Sequence, residues 1–216
     1  MSLELSRVIE EDKISEYAEA IISIFSVPRV IERVDAITVF PGLGEWWRVR
    51  DAIESWEKPS TVARHLLVAG YNNREVSYEE LTLERLRKPP YILQKEKGFR
   101  YTPHAEHTKE QTDWVVTQAQ SLDIQSLALF VSPYHMTRAY LTLLKSFLVS
   151  DLQIPLIPMP VRMSPDTQIP DTKVEAWQMV PGEMQRIGYY QDAGHVATFA
   201  ELRAYLARLW QQPILQ

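Results

Sequence analysis

The chain of 216 residues contains no cysteine. That absence excludes disulfides, thiol nucleophiles and every metal or iron–sulfur site built on Cys ligands, and it fits a reducing compartment. No apolar run approaches the length of a membrane span. The first residues carry Glu4, Glu10, Glu11 and Asp12, the opposite charge from the start of a signal peptide. A soluble, cytoplasmic protein is expected. Basic residues are in deficit: 23 Lys and Arg stand against 28 Asp and Glu, a formal net charge of −5. Neither nucleic acid nor an anionic membrane surface is therefore an expected partner, although a local basic pocket is compatible with that total. Internal repeats and low-complexity linkers are also missing.

What is present is an ordinary globular composition, 45% hydrophobic and 24% charged. Short apolar runs at 36–40, 65–69 and 127–131 read as strands. Tyr91-Ile92-Leu93 reads as a weak fourth, and 94–106 as a loop. The run 154–161 holds three prolines and is expected at a sheet edge. Helical spacing covers 3–26, 45–57, 77–86, 108–121, 135–149, 181–191 and 198–210. Ser77 with Glu80 forms a capping-box pattern, and Thr108 and Thr198 read as caps. Strands that are apolar runs rather than alternating patterns, interleaved with helices, predict an α/β domain with a mostly parallel sheet covered on both faces. Residues 1–30 read as an N-terminal helical extension and 31–216 as one domain, so helices extend it at both termini.

In such sheets ligands bind where strand C-terminal ends meet helix N-termini. Pro41-Gly42-Leu43-Gly44 follows the first strand. Gly42 and Gly44 permit a tight turn against a ligand, but position 47 is Trp, so the dinucleotide fingerprint is incomplete and a plain turn is equally consistent. Arg48 opens the next helix, where a cation calls for an anion or a carboxylate partner. Gly70 closes the second strand, and Gly70-Tyr71-Asn72-Asn73-Arg74-Glu75 reads as a turn and a candidate wall of the site, or equally as a turn alone. His104, Glu106, His107 and Glu110 lie close together, but they lack the spacing of a helical metal motif and no metal is expected. Thr108 and Glu110 instead order the helix start, with His107 at the rim. After the strand at 127–131 come Ser132, His135 and Arg138. The last two are one helical turn apart, suited to acid–base work and anion binding, or equally to capping and surface pairing. Ser132 has no nucleophile-elbow context and reads as a donor to an anion.

Ser132-Pro133-Tyr134-His135-Met136-Thr137-Arg138-Ala139 resembles the S-x-Y-H-x-x-R-A signature of the YdcF/SanA-like family. Thr108-Lys109-Glu110-Gln111 is similar to its T-x-E-N element, with Gln111 for Asn. Arg48 to Ala52 is similar to its R-x-x-x-A helix, and Leu67 to Gly70 to its S-G-G turn, with Ala69 and Tyr71 as departures. The resemblance spans roughly 35–195 and implies a Rossmann-like three-layer fold, S-adenosylmethionine as a possible cofactor, and the soluble branch of the family. Together the residues lead to three expectations. The first is an enzyme, a transferase or hydrolase, acting on an anionic or nucleotide-like small molecule. In it His135 is the acid or base, Glu110 its orienting group, and Gly42, Gly44, Arg48, Gly70, His107, Thr108, Ser132 and Arg138 bind the ligand. The second is a non-catalytic S-adenosylmethionine or nucleotide binding module. The third is a partner-binding structural protein.

Overall fold

The computed structural model describes residues 11–70 and 72–215. The first eight residues of the predicted helix 3–26 thus lie outside the described residues, as does Tyr71 of the turn after the second strand. The remainder of that helix is α1 (Glu11–Phe25). The chain continues through β1 (Ala36–Val39), α2 (Trp46–Glu57), β2 (His65–Val68), the short α3 (Leu83–Leu86), β3 (Phe99–Tyr101), α4 (Thr108–Ser121), β4 (Leu127–Val131), α5 (Pro133–Val149), β5 (Leu156–Pro160), α6 (Val180–Asp192) and α7 (Phe199–Leu209).

Among the described residues five strands form one parallel sheet, in the order β3-β2-β1-β4-β5. Every residue of β1 and β4 is buried, which is why these strands are almost wholly apolar; the one polar side chain, Thr38, donates its hydroxyl to the Leu67 carbonyl at 3.3 Å. Helix α2 packs on β1, β2 and β4, while α5 packs on β4 and β5 and against α4. Right-handed crossovers running in opposite directions across the sheet put these helices on opposite faces, giving the three-layer Rossmann-like architecture expected from the sequence. Helix α1 lies on α5 and α7. Its Tyr17, Ala20 and Ile24 enter the main core, and Glu19 pairs with Arg203 of α7 at 2.5 Å.

Strand β5 sits at the edge, as its prolines require. The Val161 N–H donates inward to the Val131 carbonyl at 3.0 Å. By alternation, positions 156, 158 and 160 face outward. Two of these are prolines, and the third, Leu156, donates its N–H to the Tyr205 hydroxyl at 2.7 Å.

Three local expectations are corrected. The third strand in chain order is 99–101, inside the segment read as a loop, and not 91–93. Ile92 has a φ of 59°, a left-handed backbone that a strand does not accommodate, while Tyr91 and Leu93 on either side plug the core. The helix predicted over 77–86 shrinks to α3, capped by Thr82, whose Oγ1 accepts from the Arg85 N–H at 3.2 Å. The preceding residues are held off the helix by Glu79, which reaches Arg85 and Tyr91 instead. The cap of α4 is His107, one residue before Thr108, its Nδ1 accepting from the Glu110 N–H at 3.3 Å.

Candidate functional site

From β1 the chain winds outward to β2 and β3, then returns to the other flank of β1 to lay down β4 and β5. The direction reverses between β1 and β4. The connections leaving these two strands, residues 40–45 and Ser132, therefore diverge above the sheet and open a crevice between them. A cavity of about 370 Å³ lies there, walled also by the start of α4, the first turns of α5 and α6, and by Asn72 and Glu75.

On one side stands a closed cluster. Arg48 is buried against Glu45, which is itself 1% exposed. Its Nε donates to Ser132 Oγ at 2.9 Å, Nη1 to the Phe40 carbonyl at 3.2 Å, and Nη2 to Glu45 and to the Tyr134 hydroxyl. Ser132 and Tyr134 each donate onward to the Glu45 carboxylate at 2.5 Å. This one-to-one ion pair knits the loop after β1 to the loop after β4.

On the other side stands an open cluster. Helix α5 places His135 and Arg138 on one face, as their spacing predicts, and α6 presents Glu183 to both. Glu183 lies in the first turn of α6, where the helix dipole favours a carboxylate. His135 Nδ1 is 2.9 Å from Glu183 Oε2. Arg138 Nε donates to the same oxygen at 2.6 Å, and its Nη1 donates to Thr108 Oγ1 at 3.0 Å. Arg186 donates to Glu183 Oε1 at 2.8 Å. Burial alone would raise the Glu183 carboxyl, but Arg138 and His135 outweigh it and hold the group well below the usual carboxylate range. Burial, reinforced by Arg138, lowers the His135 pKa from its ordinary 6.5 to about 4 against the opposing pull of Glu183. The imidazole is therefore neutral at pH 7, and its contact with Glu183 is a hydrogen bond rather than an ion pair. Its Nε2 has no hydrogen-bond partner among the described residues and is not sealed from the cavity. Two guanidiniums surround one carboxylate, which leaves one positive charge uncompensated.

Of the residues singled out in the sequence, Gly42, Arg48, His107, Thr108, His135 and Arg138 all line this cavity. Four do not. Ser132 is fully buried and serves the Glu45–Arg48 pair rather than the cavity. Glu110 is exposed, its carboxylate accepting the Glu106 N–H at 2.6 Å; the carboxylate that orients His135 is Glu183. Gly44 and Gly70 make room for the protein's own loops. A Cβ at Gly44 would come within 2.7 Å of Pro170, and one at Gly70 within 2.4 Å of the Thr102 carbonyl. The loops after β1 and β2 are tied together by Gln111, whose Nε2 donates to the Gly70 carbonyl at 2.7 Å and the Pro41 carbonyl at 3.3 Å.

Sequence reasoning missed Glu183, Arg186 and Glu45; Glu75 was read only as part of the turn 70–75, of which Asn72 and Glu75 line the cavity. Glu45 and Arg48 share an i,i+3 spacing, and so do Glu183 and Arg186, which is the only local signal. Nothing in the spacing connects Glu183 to His135, 48 residues away. Among the described residues no group of three or more His, Asp and Glu side chains could hold a metal ion, and no helix is long and apolar enough to cross a membrane. No family model matches the chain, and neither a curated protein nor a solved structure is significantly similar to it.

Proposed function

We propose that the cavity binds an anionic small molecule at the C-terminal edge of the sheet, and that His135 acts on it as a general base or acid. The observation that carries this reading is the anchored imidazole: Nδ1 is held, Nε2 is free beside the cavity, and the guanidiniums of Arg138 and Arg186 flank it. A positioned His typically contributes 10²–10⁴-fold, roughly, when it exchanges a proton in the transition state. With Nδ1–H donated to Glu183, Nε2 carries the lone pair of a base. Glu183 orients the ring and stabilises the imidazolium formed on proton uptake, and the Arg pair holds the anion. A transferase or hydrolase acting on a phosphorylated or nucleotide-like substrate fits this arrangement. The similarity of residues 132–139 to the YdcF/SanA-like signature supports it, and makes S-adenosylmethionine one of the ligands to test.

One observation favours a non-catalytic binding module. His135 Nδ1 also lies 3.0 Å from Arg138 Nη2. One nitrogen cannot both donate to Glu183 and accept from Arg138. If it accepts, Nε2 carries the proton and serves as a fixed donor to a bound ligand rather than a base. An unprotonated Nδ1 would face the Glu183 carboxylate lone pair to lone pair at 2.9 Å, whereas Arg138 Nη2 has Glu183 Oε1 at 3.3 Å as a second acceptor, which favours the catalytic tautomer.

The test is thermal unfolding against nucleotides, sugar phosphates and S-adenosylmethionine, with Arg138→Ala as control. Ligand at 100 times its Kd stabilises by about 2.7 kcal/mol, and the shift is expected to vanish in Arg138→Ala. Once a ligand is found, His135→Ala is expected to abolish turnover while the shift persists. Full turnover in that variant would sink the catalytic reading and leave the binding module.

A further inference from the structure

The cavity that Arg138 and Arg186 line also carries an unusual carboxylate. Glu75, in the loop after β2, accepts the Leu43 N–H through Oε2 at 2.5 Å, and its two oxygens lie 3.5 and 3.7 Å from where a Gly42 Cβ would stand. It thus occupies the glycine turn itself, and a ligand's anionic group is left to the Arg138–Arg186 side. Oε1 of Glu75 has no hydrogen-bond partner among the described residues, and no Lys, Arg or His among them lies within ion-pairing distance of the carboxylate. Arg48, which acts on it electrostatically, already belongs to Glu45. Arg74, next to it in sequence, turns to Glu106 at 3.9 Å. Burial pushes the Glu75 carboxyl up, the Leu43 N–H only partly opposes this, and Asp171 adds to the rise. A half-buried carboxylate without a counter-ion marks a local shortage of positive charge.

We infer that the ligand is a zwitterion whose anionic group lies at Arg138 and Arg186 and whose cationic group, an ammonium in the simplest form, pairs with Glu75. The inference rests on the anion-binding reading of the same cavity and adds the second pole. The same cavity holds a positive surplus at Arg138 and Arg186 and an unpaired negative charge at Glu75, so a ligand with both charges complements it. A hydroxyl would satisfy Oε1 but leave the charge standing, so it is the weaker complement.

The probes are ω-aminoalkyl phosphates of two to six carbons, each compared by calorimetry with the n-alkyl phosphate of the same length. The wild-type protein is expected to prefer the aminoalkyl compound by roughly tenfold or more at one favoured length. That preference is expected to collapse in Glu75→Gln, which keeps an acceptor for the Leu43 N–H. Equal binding of both series to the wild type at every length overturns the zwitterion and leaves the anion site intact. A preference that survives in Glu75→Gln also overturns it, because the cation would then be recognised elsewhere. Failure of both series to bind, with Arg138→Ala no different, removes the anion site and this inference with it.

Discussion

Two arginine–glutamate clusters face each other across the reversal between β1 and β4, and they differ in closure. Around Arg48 both oxygens of the Glu45 carboxylate have their donors and the charges of the pair cancel. Around Glu183 the charges do not cancel, one imidazole nitrogen is free, and Arg186 is half-exposed. The same residue types thus serve as a clamp in one place and as recognition chemistry in the other. What separates them is stoichiometry: one guanidinium per carboxylate closes a cluster, and two leave it open.

Breaking the closed cluster should have the largest effect on stability. Glu45→Ala leaves a buried guanidinium uncompensated and is expected to cost about 3–5 kcal/mol. Because a kcal/mol shifts Tm by roughly 2–4 °C in a chain of this length, a melting curve resolves this easily. The double change Glu45→Leu with Arg48→Met should cost less than Glu45→Ala alone, and a larger loss would show that the pair does more than neutralise itself. In the open cluster, Arg138→Ala should cost about 1–3 kcal/mol, since Arg186 still reaches Glu183, while removing the ligand-induced shift altogether. A Tm loss matching that of Glu45→Ala would erase the contrast between the clusters.

Acid sharpens the comparison further. The unfolded chain takes up a proton at His135 near pH 6.5, whereas the folded one resists until about 4. Between those values the unfolded state binds more protons, so stability should fall as pH drops, by up to about 3 kcal/mol at pH 4. His135→Gln should flatten that part of the curve of Tm against pH; an unchanged slope would assign the acid sensitivity to other groups. The smallest effect is expected at Glu110. Glu110→Gln should change stability by less than about 0.5 kcal/mol and leave ligand binding unchanged, and a lost ligand shift would return Glu110 to the site.

The layered fold was legible because β1 and β4 are runs without polar alternation, buried at every position, as in a sheet covered on both faces. His135 and Arg138 were legible because one helical turn separates them. Glu183 was not: its partner lies on another helix, and long-range pairing leaves no period in the sequence. Gly44 and Gly70 misled for a related reason. A glycine reports that something approaches closely, and here that something is Pro170 and the Thr102 carbonyl rather than a ligand. Ile92 shows the limit of apolar patterning, since its left-handed backbone turns a strand-like tripeptide into a core plug.

The outer margin of β5 bears on how the protein behaves in a crowd. Its outward positions are Leu156, already bonded to Tyr205, and two prolines that have no amide proton. A foreign strand laid alongside would find no donor to zip against. At the opposite margin β3 is only three residues long. Both ends of the sheet are thus poor templates for aggregation, and the protein is guarded against the edge-to-edge stacking to which open sheets are prone.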